Sequence, residues 1–431
     1  MRPLACLPLL LAACFSGEST RGLPCTRDAS CGDGLACVAG VCGGEPTQTF
    51  LSGLSILFVV TDDPGSGALQ ARLAEAADPF LKILVEADID LRVGVISTAM
   101  AHPHCGEGLD GGLQLTSCRD RLEDFKNDDL GLDVQADACE LRCAEGLAGD
   151  AAVPSPTAAD AGPTRARPWI QDGPLYGQNL YYKDLAPNRM IGCFLARGIT
   201  GCPFEQPLAA LVRALERMRD PMDDNYGFVD ERSLLVVIFV GRGPECSYAD
   251  DAAAIFDPAL PADDRVFWPD DASEPTPAIC WNAGAECTNL VDNHYFECHP
   301  VDHAIGGAPT SHPDDAVLIP ISTTAETVAA AVADMGAYVT IAGVLGVPMD
   351  YAGGELHYTP TLPGSSDEFG IGAGCEGADV TAAPPLRLAA FADALDPGGL
   401  PFFPACAPKL GTPLQLLAKE LVMRVSMPLP E

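Results

Sequence analysis

From residue 50 onward, apolar runs alternate with stretches whose apolar residues recur every three or four positions. Ile56 to Val60, Leu91 to Ser97, Leu234 to Val240 (LLVVIFV) and Tyr338 to Leu345 are continuous, β-branched-rich runs, the pattern of strands covered on both faces. Leu69, Leu73, Ala76, Phe80 and Leu84 follow the first run at helical spacing, with Pro79 expected to bend or restart that helix. Leu208, Leu211, Val212, Leu215 and Met218 mark a second helix ahead of LLVVIFV. Thr323-Thr-Ala-Glu326 has the form of a capping box for an Ala-rich helix ending before Gly336. Leu386 to Leu395 and Pro413 to Arg424 give the last helices. Strands separated by helices, each strand apolar throughout, predict an α/β fold: a doubly wound, mainly parallel sheet. Ligand sites of such sheets lie beyond the strand C-termini, where strand order reverses. Thr61 to Gly67 (TDDPGSG) leaves the first strand there.

Two segments interrupt the alternation, at about 101–202 and 241–320, and both are rich in cysteine. The first holds a tract poor in apolar residues, Ala148 to Pro168, that cannot fold by itself. They read as insertions into one domain spanning 50–431.

The N-terminus changes the picture. MRPLACLPLLLAACFSGEST carries one Arg, an apolar stretch from Leu4 to Ala13, and then polar residues, the layout of a secretory signal over 1–13. Its end, Leu11-Ala-Ala-Cys14, resembles the lipobox of bacterial lipoproteins, which implies lipidation at Cys14 and a cell-envelope location, at the outer membrane or its periplasmic face. Residues 14–49 follow as a stalk module with Cys25, Cys31, Cys37 and Cys42, closed by the linker Gly43 to Thr49. So short a segment buries no core and needs disulfides to hold it.

Eighteen cysteines less Cys6 and Cys14 leave sixteen, an even number suited to disulfides in an oxidising compartment. Beyond the four of the stalk, the candidates are Cys105, Cys118, Cys139, Cys143, Cys193, Cys202, Cys246, Cys280, Cys287, Cys298, Cys375 and Cys406. The formal charge of −35, from 25 Lys and Arg against 60 Asp and Glu, repels phosphate backbones and excludes nucleic acid as a partner.

ILFVVTDDPGSGALQARLAEAADPFLKILVEADIDLRVGVIST, together with GCPFEQPLAALVRAL, the LLVVIFV strand with its Cys246-Ser247 pair, and YVTIAGVLG, resembles a von Willebrand factor type A domain. The resemblance implies binding of a protein or glycan at the cell surface through a divalent cation such as Mg²⁺, held by Asp-x-Ser-x-Ser, a loop Thr and an Asp after the central strand. Carried onto this chain, Asp62 takes the Asp place, Ser66 the second Ser and Thr200 the Thr. Pro64 replaces the first Ser, and Gly241-Arg242-Gly243-Pro244-Glu245 stands where the later Asp belongs, with Glu245 as a substitute. Pro64 supplies no oxygen and Arg242 opposes a dication, so the expectation is an impaired site with no cofactor. Asp63 and Pro64 also make a sound helix start without metal, as N-cap and first helical residue.

Enzyme motifs are absent: there is no G-x-S-x-G, no H-E-x-x-H and no Walker loop. A binding protein is therefore expected rather than an enzyme. A secreted metal-dependent hydrolase would instead gather at least two of His102, His104, His299 and His303 with a carboxylate in one cleft. A purely structural envelope protein would have no saturable partner.

Overall fold

The computed structural model describes residues 51–427, apart from short stretches between 144 and 184, residues 271 and 352, and 362–367. It also describes two pairs nearer the N-terminus, Cys37–Val38 and Val41–Cys42. The chain divides into two units, residues 52–425 and the N-terminal 51 residues with the last six. In the smaller unit Cys37–Val38 and Val41–Cys42 pair antiparallel, and Cys42 is disulfide-bonded. The segment expected to be a signal (1–13), Cys14, Cys25, Cys31 and the linker lie outside the described residues.

In the larger unit the elements that position the site are β1 (Leu54–Val60), α1 (Gly67–Glu86), β2 (Leu91–Ser97), β3 (Ile170–Asp172), α2 (Pro207–Arg219), β4 (Leu234–Val240), α3 (Ile321–Asp334), β5 (Tyr338–Leu345), α4 (Leu386–Leu395), β6 (Phe402–Pro404) and α5 (Gly411–Ser426). The six strands form one sheet in the order β6-β5-β4-β1-β2-β3. All neighbours are parallel except β3, which pairs antiparallel with β2.

Every residue of β1, β2 and β4 is buried, as the unbroken apolar runs require. Leu57, Val59, Val237, Phe239 and Ile341 join Leu208, Leu211, Val328, Val332 and Phe391 of α2, α3 and α4 in one core layer. On the opposite face Phe58 meets Phe80 of α1 edge to face, with ring centroids 6.1 Å apart. Arg424 of α5 donates to Thr340 there at 3.1 Å. Helices thus cover both faces, each burying the apolar stripe that its periodicity announced.

The helix starts differ from expectation. α1 begins at Gly67, not at Pro64, because the Asp63 carboxylate accepts from the Gly65 N–H at 2.5 Å and closes a turn of its own. Continuous helix then runs through Pro79 to Glu86. α3 starts at Ile321 after Pro320, so Thr323 lies inside the helix and no capping box forms; Thr324 and Thr327 donate instead to carbonyls four residues back.

Both interrupting segments are stapled. Cys105–Cys202 closes the first almost end to end, with Cys118–Cys139 and Cys143–Cys193 inside it. Cys246–Cys280 and Cys287–Cys298 hold the second, and Cys375–Cys406 ties the chain after β5 to the segment that follows β6. The second segment builds a small core around Phe204, Phe256, Phe267 and Trp268. The first contributes β3 to the sheet, so it is not wholly peripheral. Among the described residues no helix is long and apolar enough to cross a membrane.

Candidate functional site

From β1 the chain steps to β2 on one side, and β4 lies on the other. The order therefore reverses between β1 and β4, and the loops after both strands face each other at the sheet's C-terminal edge. Asp62 and Asp63, consecutive in the first loop, send their carboxylates to opposite sides.

Asp63 faces β4. Arg242 Nε donates to both of its oxygens, at 2.8 and 2.9 Å, and Arg242 Nη2 reaches Glu368 Oε1 at 2.5 Å. The guanidinium also lies 5.2 Å over the Phe369 ring. A side chain at Gly65 would collide with it, which explains the glycine there. Glu205, from the turn before α2, accepts from the Gly243 N–H at 2.9 Å. Burial and then the charge of Asp63 push its carboxyl well above the usual carboxylate range. Burial lowers the proton affinity of Arg242, but Asp63 and Glu368 together hold it above the ordinary arginine value.

Asp62 faces β2. Ser97 Oγ donates to its Oδ2 at 2.6 Å, whereas Oδ1 is buried with no partner. It lines a crevice of about 560 Å³ with Arg197, Arg121, Asp124, Gln114, Thr200 and His104. Arg197 is equally unsatisfied: Nη2 donates to Gln114 Oε1 at 2.7 Å, but Nε and Nη1 are buried without a partner. Burial and Arg121 lower its pKa to about 9, against the pull of Asp62 and Asp124.

Gln70 of α1 fixes this geometry. Its Nε2 donates to Thr61 O, Ser66 Oγ and Gly198 O at 2.9, 2.7 and 2.6 Å, and its Oε1 accepts from the N–H groups of Arg197 and Gly198 at 2.6 and 3.0 Å. One buried amide thereby clamps the Asp62 loop to the Arg197 segment. Gly201 backs onto Asp62, donating its N–H to the Asp62 carbonyl at 2.8 Å.

Of the residues assigned from the resemblance, Asp62 and Thr200 share the crevice, with Thr200 exposed at its rim. Ser66 is turned away: its hydroxyl donates to Asp63 O at 2.6 Å and accepts from Gln70. Glu245 is buried elsewhere, accepting from Arg387 Nε at 2.9 Å and from the Ser247 N–H at 2.8 Å. Sequence reasoning missed Asp63, Glu205, Arg197 and Gln70. Only three-dimensional proximity joins them, though a glutamine on the apolar side of α1 was a visible signal for the last.

His102 and His104 are neighbours, with ring centroids 5.8 Å apart, but His299 and His303 do not join them. His104 lines the crevice, whereas His102 lies buried and stacked on Phe204, with centroids 4.2 Å apart. Burial and His104 lower the His102 pKa to about 4. His299 stands 3.8 Å from Glu286 on an exposed hairpin, and His303 hydrogen-bonds the Ala283 carbonyl.

Burial raises the Asp62 pKa from 3.8 to about 6, the Ser97 hydrogen bond and Arg197 opposing. The folded protein therefore holds this proton more tightly than the unfolded chain. Its contribution to stability is fully present below about pH 4 and is lost as pH rises through about 6. Asp62→Asn, which keeps the Ser97 hydrogen bond and removes the charge, should raise stability at pH 7 by about 1–3 kcal/mol and leave it unchanged at pH 3.5. Urea unfolding of both proteins across that range checks this; parallel curves would place the raised proton elsewhere.

Compared with known proteins, the chain matches no family model, no curated protein and no solved structure.

Proposed function

We propose that this chain is a lipid-anchored cell-envelope binding protein, tethered through Cys14, whose von Willebrand factor type A-like domain works without a metal ion. The observation that carries the reading is Arg242 seated on Asp63, a guanidinium standing in the loop where the resemblance would place a metal-ligating Asp. Three loops that the resemblance assigns to a metal site meet at this edge: the Gly201 N–H donates to Asp62 O, and the N–H groups of Arg242 and Gly243 donate to Glu205. That convergence favours the fold reading.

The donor set favours loss of the metal. A dication needs several hard oxygens converging. Here Ser66 and Glu245 are engaged elsewhere, Pro64 offers none, and the free oxygen of Asp62 lies in the field of Arg197. Of the adjacent pair His102 and His104 only His104 lines the crevice, His102 being buried against Phe204, which favours binding over hydrolysis, and loops on a rigid sheet edge commonly carry recognition of a protein or glycan.

Calorimetric titration of Mg²⁺ and Mn²⁺ into the protein, with Asp62→Ala and Asp63→Ala alongside, tests this. The expected result is no saturable uptake in any of the three. Saturable uptake by the wild type that either substitution abolishes would overturn the metal-independent reading and restore cation-dependent adhesion.

A further inference from the structure

Two opposite charges line one crevice, each incompletely paired. Asp62 Oδ1 is acceptor-only and buried; Arg197 Nε and Nη1 are donor-only and buried. They attract each other across the site but form no ion pair, and Gln70 with the Cys105–Cys202 disulfide fixes the walls that carry them. Unpaired buried charges are costly, and water or a ligand in the crevice can complete them.

The chemistry of the gap narrows the ligand. A metal ion would satisfy Asp62 but face Arg197, and a plain anion would satisfy Arg197 but face Asp62, whereas Arg121 and Asp124 in the same crevice already pair at 2.9 Å. Among the described residues no aromatic face other than His104 lines the crevice, so a sugar ring lacks a stacking platform. A ligand with an ammonium and a carboxylate a few ångströms apart answers both charges at once, the carboxylate accepting from an unpartnered N–H of the guanidinium. Ala99, Met100, Leu109 and Pro203 give the same crevice an apolar wall for a side chain.

We infer that the crevice binds a free α-amino acid, its ammonium on Asp62 and its carboxylate on Arg197, with its side chain on the apolar wall. This rests on the reading of the chain as a metal-independent binding protein and names the ligand class of that site.

Calorimetry on the full chain with a panel of L- and D-amino acids tests it, with acetate and methylamine as probes carrying one charge each. The expected result is saturable binding of at least one amino acid, with neither half-probe bound comparably. Asp62→Asn and Arg197→Met should each weaken it about tenfold or more. Thr200→Trp, at the exposed rim, should block it while circular dichroism shows the fold intact, so a misfolded Arg197 variant does not decide the matter. If no amino acid binds, or if binding is indifferent to Thr200→Trp, the inference is overturned. The metal titration reads the underlying proposal separately: no amino-acid binding with no metal uptake sinks only the ligand assignment, whereas saturable Mg²⁺ uptake at Asp62 sinks both.

Discussion

Arg387→Met should lower the stability of the protein by about 3–5 kcal/mol, the loss typical of a buried ion pair deprived of one partner. Arg387 and Glu245 are 3% and 1% exposed in their side chains and meet at 2.9 Å. Arg387 Nη2 also donates to the Ile319 carbonyl at 2.6 Å, and its Cδ fills the space beside Gly284, which has no side chain to obstruct it. One residue of α4 thus fastens both ends of the second cysteine-rich segment, at Glu245 and Ile319. Methionine matches the bulk of the stem but leaves the Glu245 carboxylate buried with only the Ser247 N–H. Urea unfolding measures the loss. The double variant Arg387→Met with Glu245→Gln should recover most of it, because the cost lies in the orphaned charge more than in the missing contact. A single variant within about 1 kcal/mol of wild type would mean that Glu245 is not a buried anion.

The same pair shows what local sequence conceals. Glu245 stands in the loop where the resemblance expects a metal ligand, and nothing near it in the chain announced Arg387, 142 positions away. Strands were legible for the opposite reason: burial on both faces demands an unbroken apolar run, a property of seven or eight consecutive residues. β2, β4 and β5 accordingly have the limits read from the sequence. The two edge strands, three residues each, are too short to carry a pattern and were missed. Helix starts failed where side chains had stronger partners than the cap. Asp63 has Arg242, and the Asp63 turn delays α1 to Gly67.

At the site, the loops were legible and the side-chain directions were not. The switch point follows from strand order, and the resemblance assigned Asp62, Thr200 and Arg242 to loops that do meet there. Whether Asp62 or Asp63 faces the central strand is a matter of one residue's rotation in a turn. That rotation is set by Gln70, Ser97 and Arg242, which come from three other parts of the chain.

Arg242→Met carries the second large expectation, a loss of about 3–5 kcal/mol at neutral pH. The guanidinium is 10% exposed and contacts Asp63, Glu368 and the Phe369 ring, with Glu205 against its backbone, so its removal leaves three carboxyl groups around one buried position. Arg242→Lys should lose less, because it keeps the charge but neither the planar fork nor the stacking. The loss should shrink as pH falls, since protonated carboxyls no longer require a cation. Thermal unfolding with and without Mg²⁺ or Ca²⁺ then separates two meanings of the residue. Stabilisation by a divalent cation in Arg242→Met, and none in the wild type, is the expected result: vacating the loop would let an ion take the place that the guanidinium holds. An unstable variant indifferent to both ions would reduce Arg242 to a structural counter-ion, and the argument for a metal site replaced from within the chain would fail.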